Sequence, residues 1–165
     1  MSDETGGPPL EEDLGWMLGT LLRAYHKAVE PLIGDIPSGP RGYLLLAAAA
    51  GGEGLNQAAL AERLGMDRTV LTYLIDDLEA LDLVKRRPDP ADRRSRLIGV
   101  TDTGRRVLAD HRRKLDLVSR QVLGSLSQEE ATFFLALLRR VALGYAVNGG
   151  ADDLCRLAAE LAGPS

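Results

Sequence analysis

Cysteine and histidine are scarce in this chain of 165 residues, which has one cysteine and two histidines. A single cysteine, Cys155, forms no intrachain disulfide, and His26 and His111 are too few for a structural zinc site. Cys155 has no histidine near it in sequence, so we interpret it as a buried apolar side chain, although it remains open to oxidation. We therefore expect no metal, no cofactor and a reducing, cytoplasmic setting.

Long hydrophobic runs and catalytic motifs are also missing. The longest apolar run, Tyr43 to Ala50, is far shorter than the roughly 20 residues that cross a bilayer. The N-terminal residues lack the basic and apolar regions of a signal peptide, so we expect none and no membrane association. Nucleophile-elbow, Walker and Gly-x-Gly-x-x-Gly motifs are absent from the sequence. A small enzyme using Tyr and His groups remains an alternative, but no acid–base pair at useful spacing favours it.

The charge distribution is uneven along the chain. The net charge is -4, yet residues 85–114 hold eleven Lys and Arg against four Asp, a local net charge of +7. Concentrated positive charge matters more than net charge for contact with phosphates. A hydrophobic fraction of 45% predicts a globular fold, and the length suits one domain with a core.

Two short helices with a tight turn between them lie in the centre of the chain. Residues 55–64 form the first, with Asn56 as a possible N-cap and Gly65 as its C-terminal stop. Asp67 is a second plausible N-cap, and it opens a helix over residues 68–81. This spacing predicts a helix-turn-helix.

The second of these helices is amphipathic with an unusual polar face. Its polar face carries hydroxyls, one guanidinium and one phenol, which can donate and accept hydrogen bonds at base edges. The polar face of an ordinary surface helix more often carries Glu and Lys. The predicted apolar stripe is Val70, Leu71, Leu74, Ile75, Leu78 and Leu81. The predicted outward face is Arg68, Thr69, Thr72, Tyr73 and Asp76.

A hairpin with a basic tip is predicted directly after that helix. Residues 83–87 and 96–100 have the patterns of two strands, and the segment 88–95 between them holds two prolines and adjacent arginines. Tip arginines suit the narrow, electronegative minor groove of DNA. The whole is a winged helix-turn-helix, and the fold class we expect is mainly α with a small β-hairpin wing.

These segments resemble the MarR family of bacterial regulators. The matching runs are residues 60–65, residues 69–72 with Leu78 and Glu79, and above all residues 92–104. The last run is similar to the family's wing signature, an Asp-x-Arg followed by a strand and a Thr-x-x-Gly that opens a helix. The resemblance covers about residues 10–147, and the segment after Val147 departs from the family plan.

Helices are also predicted over residues 11–30 and over residues 41–50, and the second of these is apolar almost all round, so it should be buried. Thr101 is expected to cap a helix that ends near residue 123, and a capping box of Ser127 and Glu130 opens another.

The first and the last helices have apolar stripes that a domain as small as the winged one does not bury. The resemblance implies a dimer in which the terminal helices of two subunits interleave, and a monomeric helix bundle is the alternative. We therefore predict a helical dimerisation region at 10–36 and 102–162, and a DNA-binding domain at 37–101. A last short helix is predicted over residues 152–161.

The DNA contacts that we predict fall into three groups. Bases in the major groove are read by Arg68, Thr69, Thr72 and Tyr73, and the minor groove is reached by Arg94 and Arg93. Asp92 is expected to orient Arg94 through an ion pair. The expected phosphate contacts, which hold register without reading sequence, are Lys85, Arg86, Arg87 and Arg96.

Aromatic and imidazole groups gather on the first two predicted helices. Trp16, Tyr25, His26 and Tyr43 suggest a pocket for a small aromatic or lipophilic effector, and relatives in the MarR family often bind phenolic compounds. Plain packing in the core or at an interface is the alternative interpretation.

The function we expect is a sequence-specific regulator of transcription and no enzyme. Its expected partners are double-stranded operator DNA, a second copy of the chain and a small aromatic or lipophilic effector. The simplest expectation is a homodimeric repressor that leaves the operator when the effector binds. The alternative is a winged helix that binds protein, as an antirepressor does, but the arginines at the tip argue against it.

Overall fold

The computed structural model is mainly helical with a small antiparallel sheet, which confirms the expected fold class. It describes residues 9–51, 54–92, 94–147, 156–157 and 160–161. Short 3₁₀ turns lie at Leu10–Glu12 and Glu30–Leu32. The main elements in chain order are α1 (Leu14–Val29), α2 (Pro40–Ala49), β1 (Leu55–Asn56), α3 (Gln57–Leu64), α4 (Arg68–Ala80), β2 (Val84–Pro88), β3 (Arg96–Val100), α5 (Asp102–Val122) and α6 (Gln128–Val147).

The chain divides into two compact units, the first ending at Val122 and the second beginning at Leu123. The main described element of the second unit is α6, which opens with the predicted capping box. Ser127 donates its backbone N–H to Glu130 Oε2 at 2.7 Å, and Glu130 donates its own to Ser127 Oγ at 3.3 Å. Most of the predicted helix over 152–161, together with Cys155, lies outside the described residues.

The first unit opens with α1, which starts later than the sequence pattern predicts. Asp13 caps it by accepting the backbone N–H of Trp16 at 2.7 Å, and the acidic residues before it form a 3₁₀ turn. The prediction of a helix from Glu11 was therefore wrong at this end by three residues. A carboxylate at the cap satisfies one of the amides that a helix start leaves unpaired.

The sheet has three strands in the order β1-β3-β2, all antiparallel. The hairpin of β2 and β3 was predicted, and β3 has the predicted bounds. The third strand was missed: Leu55 pairs with Ile98 and Asn56 with Leu97, where we expected the helix to begin. Two residues are too few to show an alternating pattern, so the sequence carries no signal for this strand.

A core of aliphatic side chains joins α2, α3, α4, α5 and the sheet. Every fully buried large side chain of this cluster comes from an element whose apolar pattern predicted burial. Truncating one of them to Ala should lower the free energy of unfolding by about 2–5 kcal/mol. The largest of these side chains are Leu45, Leu46, Leu60, Leu71, Ile75, Leu78, Val84 and Ile98. A smaller cluster of Val29, Ile33 and Leu115 lies between α1 and α5.

α2 was predicted to be buried on all sides, and one position corrects this. Leu44 is 49% exposed, because the sheet and the other helices cover only part of the helix. Gly42 lies on the covered side, where a Cβ would approach the Pro37 carbonyl oxygen to 2.0 Å. Only glycine permits this close packing against the preceding turn.

The start of α5 is joined closely to the base of the wing. Thr101 donates its backbone N–H to the Leu83 carbonyl at 3.1 Å and its hydroxyl to the Asp82 carbonyl. The same hydroxyl accepts the N–H of Gly104 at 2.9 Å, which confirms Thr101 as the cap. A Cβ at Gly104 would lie 2.0 Å from the Leu83 carbonyl oxygen. The backbones of α5 and the wing are therefore in direct contact.

Within the part of the chain that the structure describes, no helix is both long and apolar enough to cross a membrane. No group of three or more possible metal ligands occurs there either.

Candidate nucleic-acid interface

The helix-turn-helix is fixed by three local contacts that the sequence predicted. The Asn56 side chain accepts the N–H of Ala59 at 2.9 Å, and Gly65 takes a left-handed conformation with φ 60°. Asp67 accepts the N–H groups of Thr69 at 2.8 Å and Val70 at 3.2 Å. These amide donors, that of Val70 first, lower the pKa of the Asp67 carboxyl, so Asp67 caps α4 as an anion.

Two residues that were predicted to belong to the apolar stripe of α4 are exposed. Leu71, Leu74, Ile75 and Leu78 are buried as predicted. Val70 is 43% exposed and Leu81 is 52% exposed, so their placement in the apolar stripe was wrong. Both positions lie at an end of the helix, where the core no longer reaches the edge of the stripe.

Two exposed side chains mark the centre of the candidate reading surface. Tyr73 is 68% exposed, and Val70 lies three residues before it on the same side of α4. An apolar side chain there can contact a thymine methyl group. Val70 is therefore a candidate that the sequence analysis missed, because an aliphatic residue at helical spacing is read as core.

Thr72 is less available to DNA than the sequence suggested. It is half-buried, and its hydroxyl donates to the Arg68 carbonyl at 2.8 Å. The same oxygen accepts a hydrogen bond from Gln57 Nε2, which joins α4 to the start of α3. Because the hydroxyl both donates and accepts a hydrogen bond within the protein, Thr72 links α4 to α3.

Arg86 on β2 is held by two carboxylates of α4. Its guanidinium pairs with Asp76 and with Glu79, and its backbone N–H donates to Glu79 Oε1 at 2.9 Å. The pKa of Glu79 is lowered by that backbone hydrogen bond first, and by the guanidinium. Arg86 therefore braces the wing against α4, which argues against the predicted phosphate contact. We call these three side chains the Arg86 brace.

The tip of the wing is organised by its own carboxylates. Asp89 accepts the N–H of Ala91 at 2.8 Å, and Asp92 accepts the N–H of Arg94 at 2.9 Å. The Asp92 carbonyl also accepts the N–H of Ser95 at 2.9 Å. Asp92 thus shapes the turn through the backbone, and the predicted ion pair with the Arg94 side chain is not present.

The remaining wing cations are exposed where the structure describes them. Lys85 and Arg87 on β2, Arg94 at the tip and Arg96 on β3 all face solvent. Arg93 lies outside the described residues. Since Arg87 pairs with Leu97 and Pro88 with Arg96, these cations follow both strands from the sheet toward the tip.

The predicted effector residues are only partly brought together. Tyr25 and Tyr43 are half-buried and pack against the smaller cluster between α1 and α5. Burial first, and the neighbouring Tyr43, raise the pKa of Tyr25. His26 is exposed beside Tyr25, with ring centroids 6.5 Å apart. Trp16 lies nine residues earlier on α1, about 13 Å along the axis, so it is not part of this group.

A buried histidine outside the predicted sites links α5 to the turn before α2. His111 is 2% exposed, and its Nε2 lies 2.9 Å from Asp35 Oδ1. Its Nδ1 lies 2.8 Å from the Val107 carbonyl, which can only accept, so Nδ1 carries a proton. The hydrogen bond to His111 lowers the pKa of Asp35. The two partners are 76 positions apart in the chain, so no local sequence pattern indicates this pair.

Comparisons with known proteins agree with this geometry. A model of the MarR family matches residues 39–95. The transcriptional regulator HosA of Escherichia coli O111:H- is 34% identical over 99 residues, which are 60% of this chain and 73% of that protein.

Two solved structures extend the likeness beyond the winged domain. CouR from Rhodococcus jostii RHA1, bound to p-coumaroyl-CoA, is 30% identical with a TM-score of 0.67, and the match covers 86% of this chain and 96% of that one. The transcriptional repressor CouR bound to a 23-mer DNA duplex is 25% identical with a TM-score of 0.71, covering 85% and 99%. With its winged helix-turn-helix and these relatives, the chain belongs to the MarR family of DNA-binding transcriptional regulators.

Proposed function

We propose that the protein is a homodimeric repressor that binds a pseudo-palindromic operator and leaves it when a small effector binds. The observation that carries the proposal is the exposed face of α4 beside a wing whose cations face solvent. A helix of this kind enters the major groove while the wing reaches the backbone and the minor groove.

The roles that we propose follow exposure and chemistry. Arg68, Thr69 and Tyr73 read base edges, with Val70 against a thymine methyl. Arg94 enters the minor groove, with Arg93 beside it in sequence, while Asp92 sets the turn that presents them. Phosphate contacts fall to Lys85, Arg87 and Arg96. Thr72 and Arg86, predicted as DNA contacts, are assigned here to positioning α4 and the wing.

Two helices supply support for the dimer. α1 exposes Leu14, Leu18 and Leu22, and α6 exposes Phe133, Val141 and other apolar side chains. Exposed apolar surface on this scale is typical of an interface. We propose that 10–36 and 102–162 form the dimerisation region and 37–101 the DNA-binding domain. A two-fold protein then matches half-sites about one helical turn apart.

The effector is supported by one solved relative and by one group of side chains. CouR has been solved with p-coumaroyl-CoA. In this chain Tyr25 and Tyr43 are half-buried between α1 and α5 and offer phenol groups beside an apolar cluster. We propose that a small aromatic or lipophilic molecule binds there, with His26 at its edge. Trp16 is too far along α1 to line the same site.

Gel-shift titration on DNA upstream of the protein's own gene tests the proposal. A dimer with several phosphate contacts loses affinity steeply with salt, with a slope of about -0.9 per contact on logarithmic axes. Light scattering gives the oligomeric state, and footprinting gives the half-site spacing. A chain that binds no duplex DNA at low salt would favour the protein-binding module instead. As an operator-binding protein it would act in the cytoplasm.

A further inference from the structure

The two helices of the helix-turn-helix end in the same backbone pattern but with different residues. At the end of α4 the N–H of Leu83 donates to the Leu78 carbonyl at 2.9 Å, and Asp82 has a left-handed φ of 54°. The end of α3 has the equivalent hydrogen bond at 2.9 Å, with Gly65 in the left-handed position. Glycine is the usual residue there, because a Cβ raises the free energy of this conformation. α4 therefore ends on a residue type that its own backbone does not favour.

The Asp82 side chain binds the first turn of α5. Its Oδ2 accepts a hydrogen bond from the Thr103 hydroxyl at 3.1 Å, across 21 positions of the sequence. The Thr103 oxygen in turn accepts a hydrogen bond from the Arg106 guanidinium at 3.4 Å. The Asp82 carbonyl also accepts a hydrogen bond from the Thr101 hydroxyl. Asp82 is therefore joined to α5 through its backbone and through its side chain, and a glycine would keep only the backbone bond.

The hydrogen bond between Asp82 and Thr103 holds the same end of α4 as the Arg86 brace. Glu79 of the brace lies three residues before Asp82, so the last turn of α4 is bonded both to β2 and to α5. The residues that we propose to read bases, 68–73, lie at the opposite end of α4. Hydrogen bonds to base edges need donor and acceptor within about 2.7–3.2 Å. The placement of the reading residues therefore depends on how the last turn of α4 is held.

We infer that Asp82 is a positioning residue for DNA recognition, whose carboxylate fixes the last turn of α4 on the first turn of α5. The inference rests on the proposed contact between α4 and DNA. It predicts an effect opposite in sign to simple electrostatics. Asp82 is exposed, and an exposed carboxylate on a DNA-binding domain repels phosphates, so its removal alone should strengthen DNA binding. Loss of the bond to Thr103 should weaken it.

Asp82→Gly separates stability from DNA binding in the full chain. Glycine relieves the left-handed strain and loses one exposed hydrogen bond, so the thermal midpoint should equal that of the parent or rise by up to about 4 °C. Operator affinity in a gel shift should nevertheless fall by about fivefold or more. A variant that binds operator as tightly as the parent overturns the inference. A thermal midpoint that falls together with the affinity also overturns it, because Asp82 would then be a structural residue.

Two further variants test the hydrogen bond itself. Asp82→Asn removes the charge but keeps an acceptor, and Asn tolerates the left-handed conformation, so operator affinity should equal or exceed that of the parent. Thr103→Val removes the donor with little change of shape and should weaken operator binding as much as Asp82→Gly does. The double variant of Asp82→Gly and Thr103→Val should lose no more than either alone, within about twofold. Additive losses, or an Asp82→Asn as weak as Asp82→Gly, contradict the assignment.

Ser38→Gly is the matched control for the change to glycine. Ser38 has a similar left-handed φ of 59° and is exposed in the turn before α2. Its replacement relieves the same kind of strain, so the thermal midpoint should stay equal or rise. Operator affinity should remain within about twofold of the parent. If Ser38→Gly loses as much affinity as Asp82→Gly, the loss does not come from the bond to Thr103 and the inference fails.

Amide hydrogen exchange without DNA tests the link independently of the proposed function. The N–H of Thr101 donates to the Leu83 carbonyl at 3.1 Å, next to the Asp82 link. It should exchange about fivefold faster or more in Asp82→Gly and Thr103→Val, and at the parental rate in Asp82→Asn and Ser38→Gly. Equal rates in all of these proteins overturn the link. Faster exchange with unchanged operator affinity overturns its role in DNA recognition. A parent that binds no duplex DNA while the exchange rates differ as expected overturns the proposed function and leaves the link standing.

Discussion

Arg86 and Glu79 are joined both through a side-chain ion pair and through the backbone N–H of Arg86, which donates to Glu79 Oε1 at 2.9 Å. One residue lies on the wing and the other on α4, the two elements that we propose to contact DNA. The contacts between Arg86 and Glu79 therefore hold these two elements together.

The Arg86 brace predicts an effect of Glu79→Gln on DNA binding that exceeds its effect on stability. The amide still accepts the backbone N–H, but the charge that holds the guanidinium is lost. Because the pair is partly exposed, we expect a loss of at most about 1 kcal/mol in the free energy of unfolding, measured in urea. The free energy of operator binding, measured by gel shift, should fall by more than this, because the wing is less well positioned.

Asp77→Asn is the control for that variant. Asp77 is exposed on the same helix, and no ion pair or hydrogen bond of its side chain is described. The control should match the parent in both measurements. If Glu79→Gln and Asp77→Asn bind operator equally well, the brace does not position the wing.

Arg94→Ala should reduce operator affinity by a factor of ten or more without unfolding the protein. Its side chain is exposed at the tip, and such substitutions change stability within about 0.5 kcal/mol. Gel shifts and urea unfolding on the same preparation give both quantities. Affinity equal to that of the parent would remove Arg94 from the interface.

Tyr73→Ala should weaken binding to the cognate site by about 1–3 kcal/mol and leave binding to random DNA unchanged. The Tyr73 side chain is 68% exposed on α4. Arg87→Ala should instead weaken both kinds of DNA to a similar extent, because a phosphate contact carries no sequence information. Competition gel shifts with the two DNAs make the comparison. A uniform loss for Tyr73→Ala would place that residue on the phosphate backbone.

The pair of Asp35 and His111 predicts a pH-dependent contribution to stability. The pKa of Asp35 is lowered in the folded protein, so its contribution is present above the unfolded value of about 3.9 and is lost as pH falls through the folded value. Asp35→Ala should therefore be less stable than the parent near pH 6, and the difference should shrink as the pH falls below the unfolded value of about 3.9. The Asp35 side chain is 70% exposed, so the effect is small.

Urea midpoints at several pH values measure the contribution of Asp35. Asp77→Ala serves as a control carboxylate, and its difference from the parent should stay constant with pH. A difference for Asp35→Ala that persists unchanged at the lowest pH would show that packing, and not the ionised carboxylate, is responsible.

Two glycines in helices should respond to alanine in opposite directions. Gly104→Ala places a Cβ against the Leu83 carbonyl and should destabilise the protein by about 1–3 kcal/mol. At Gly144 in α6 nothing lies within 4 Å of the added atom, so Gly144→Ala should stabilise by about 0.5–1 kcal/mol. Thermal unfolding orders the three proteins. A stabilising Gly104→Ala would mean that the wing and α5 are not in close contact.

What could be predicted from the sequence was governed by local interactions. Asn56, Gly65 and Asp67 interact with residues less than one helical turn away. Their roles could therefore be predicted from the sequence, and the structure confirms them. The strand β1 could not be predicted, because a two-residue strand is defined by its pairing with β3 and not by its own sequence pattern.

The missed parts of the candidate site depend on partners that are distant in sequence. Thr72 has an ordinary place on the polar face, but Gln57, fifteen residues away, takes its hydroxyl. Arg86 belongs to a basic run, and only the fold brings Asp76 and Glu79 to it. In each case the residue type suggested a DNA contact, and the fold supplies the side chain with a hydrogen-bond partner within the protein.

Helix α5 starts on the base of the wing, where Thr101 hydrogen bonds to the carbonyls of Asp82 and Leu83. It has 21 residues and is therefore about 31 Å long. A tilt of about 10° at Thr101 displaces the far end by about 5 Å, by the geometry of a rod of that length. A small rotation of α5 at the wing would therefore displace its other end by a helix radius or more.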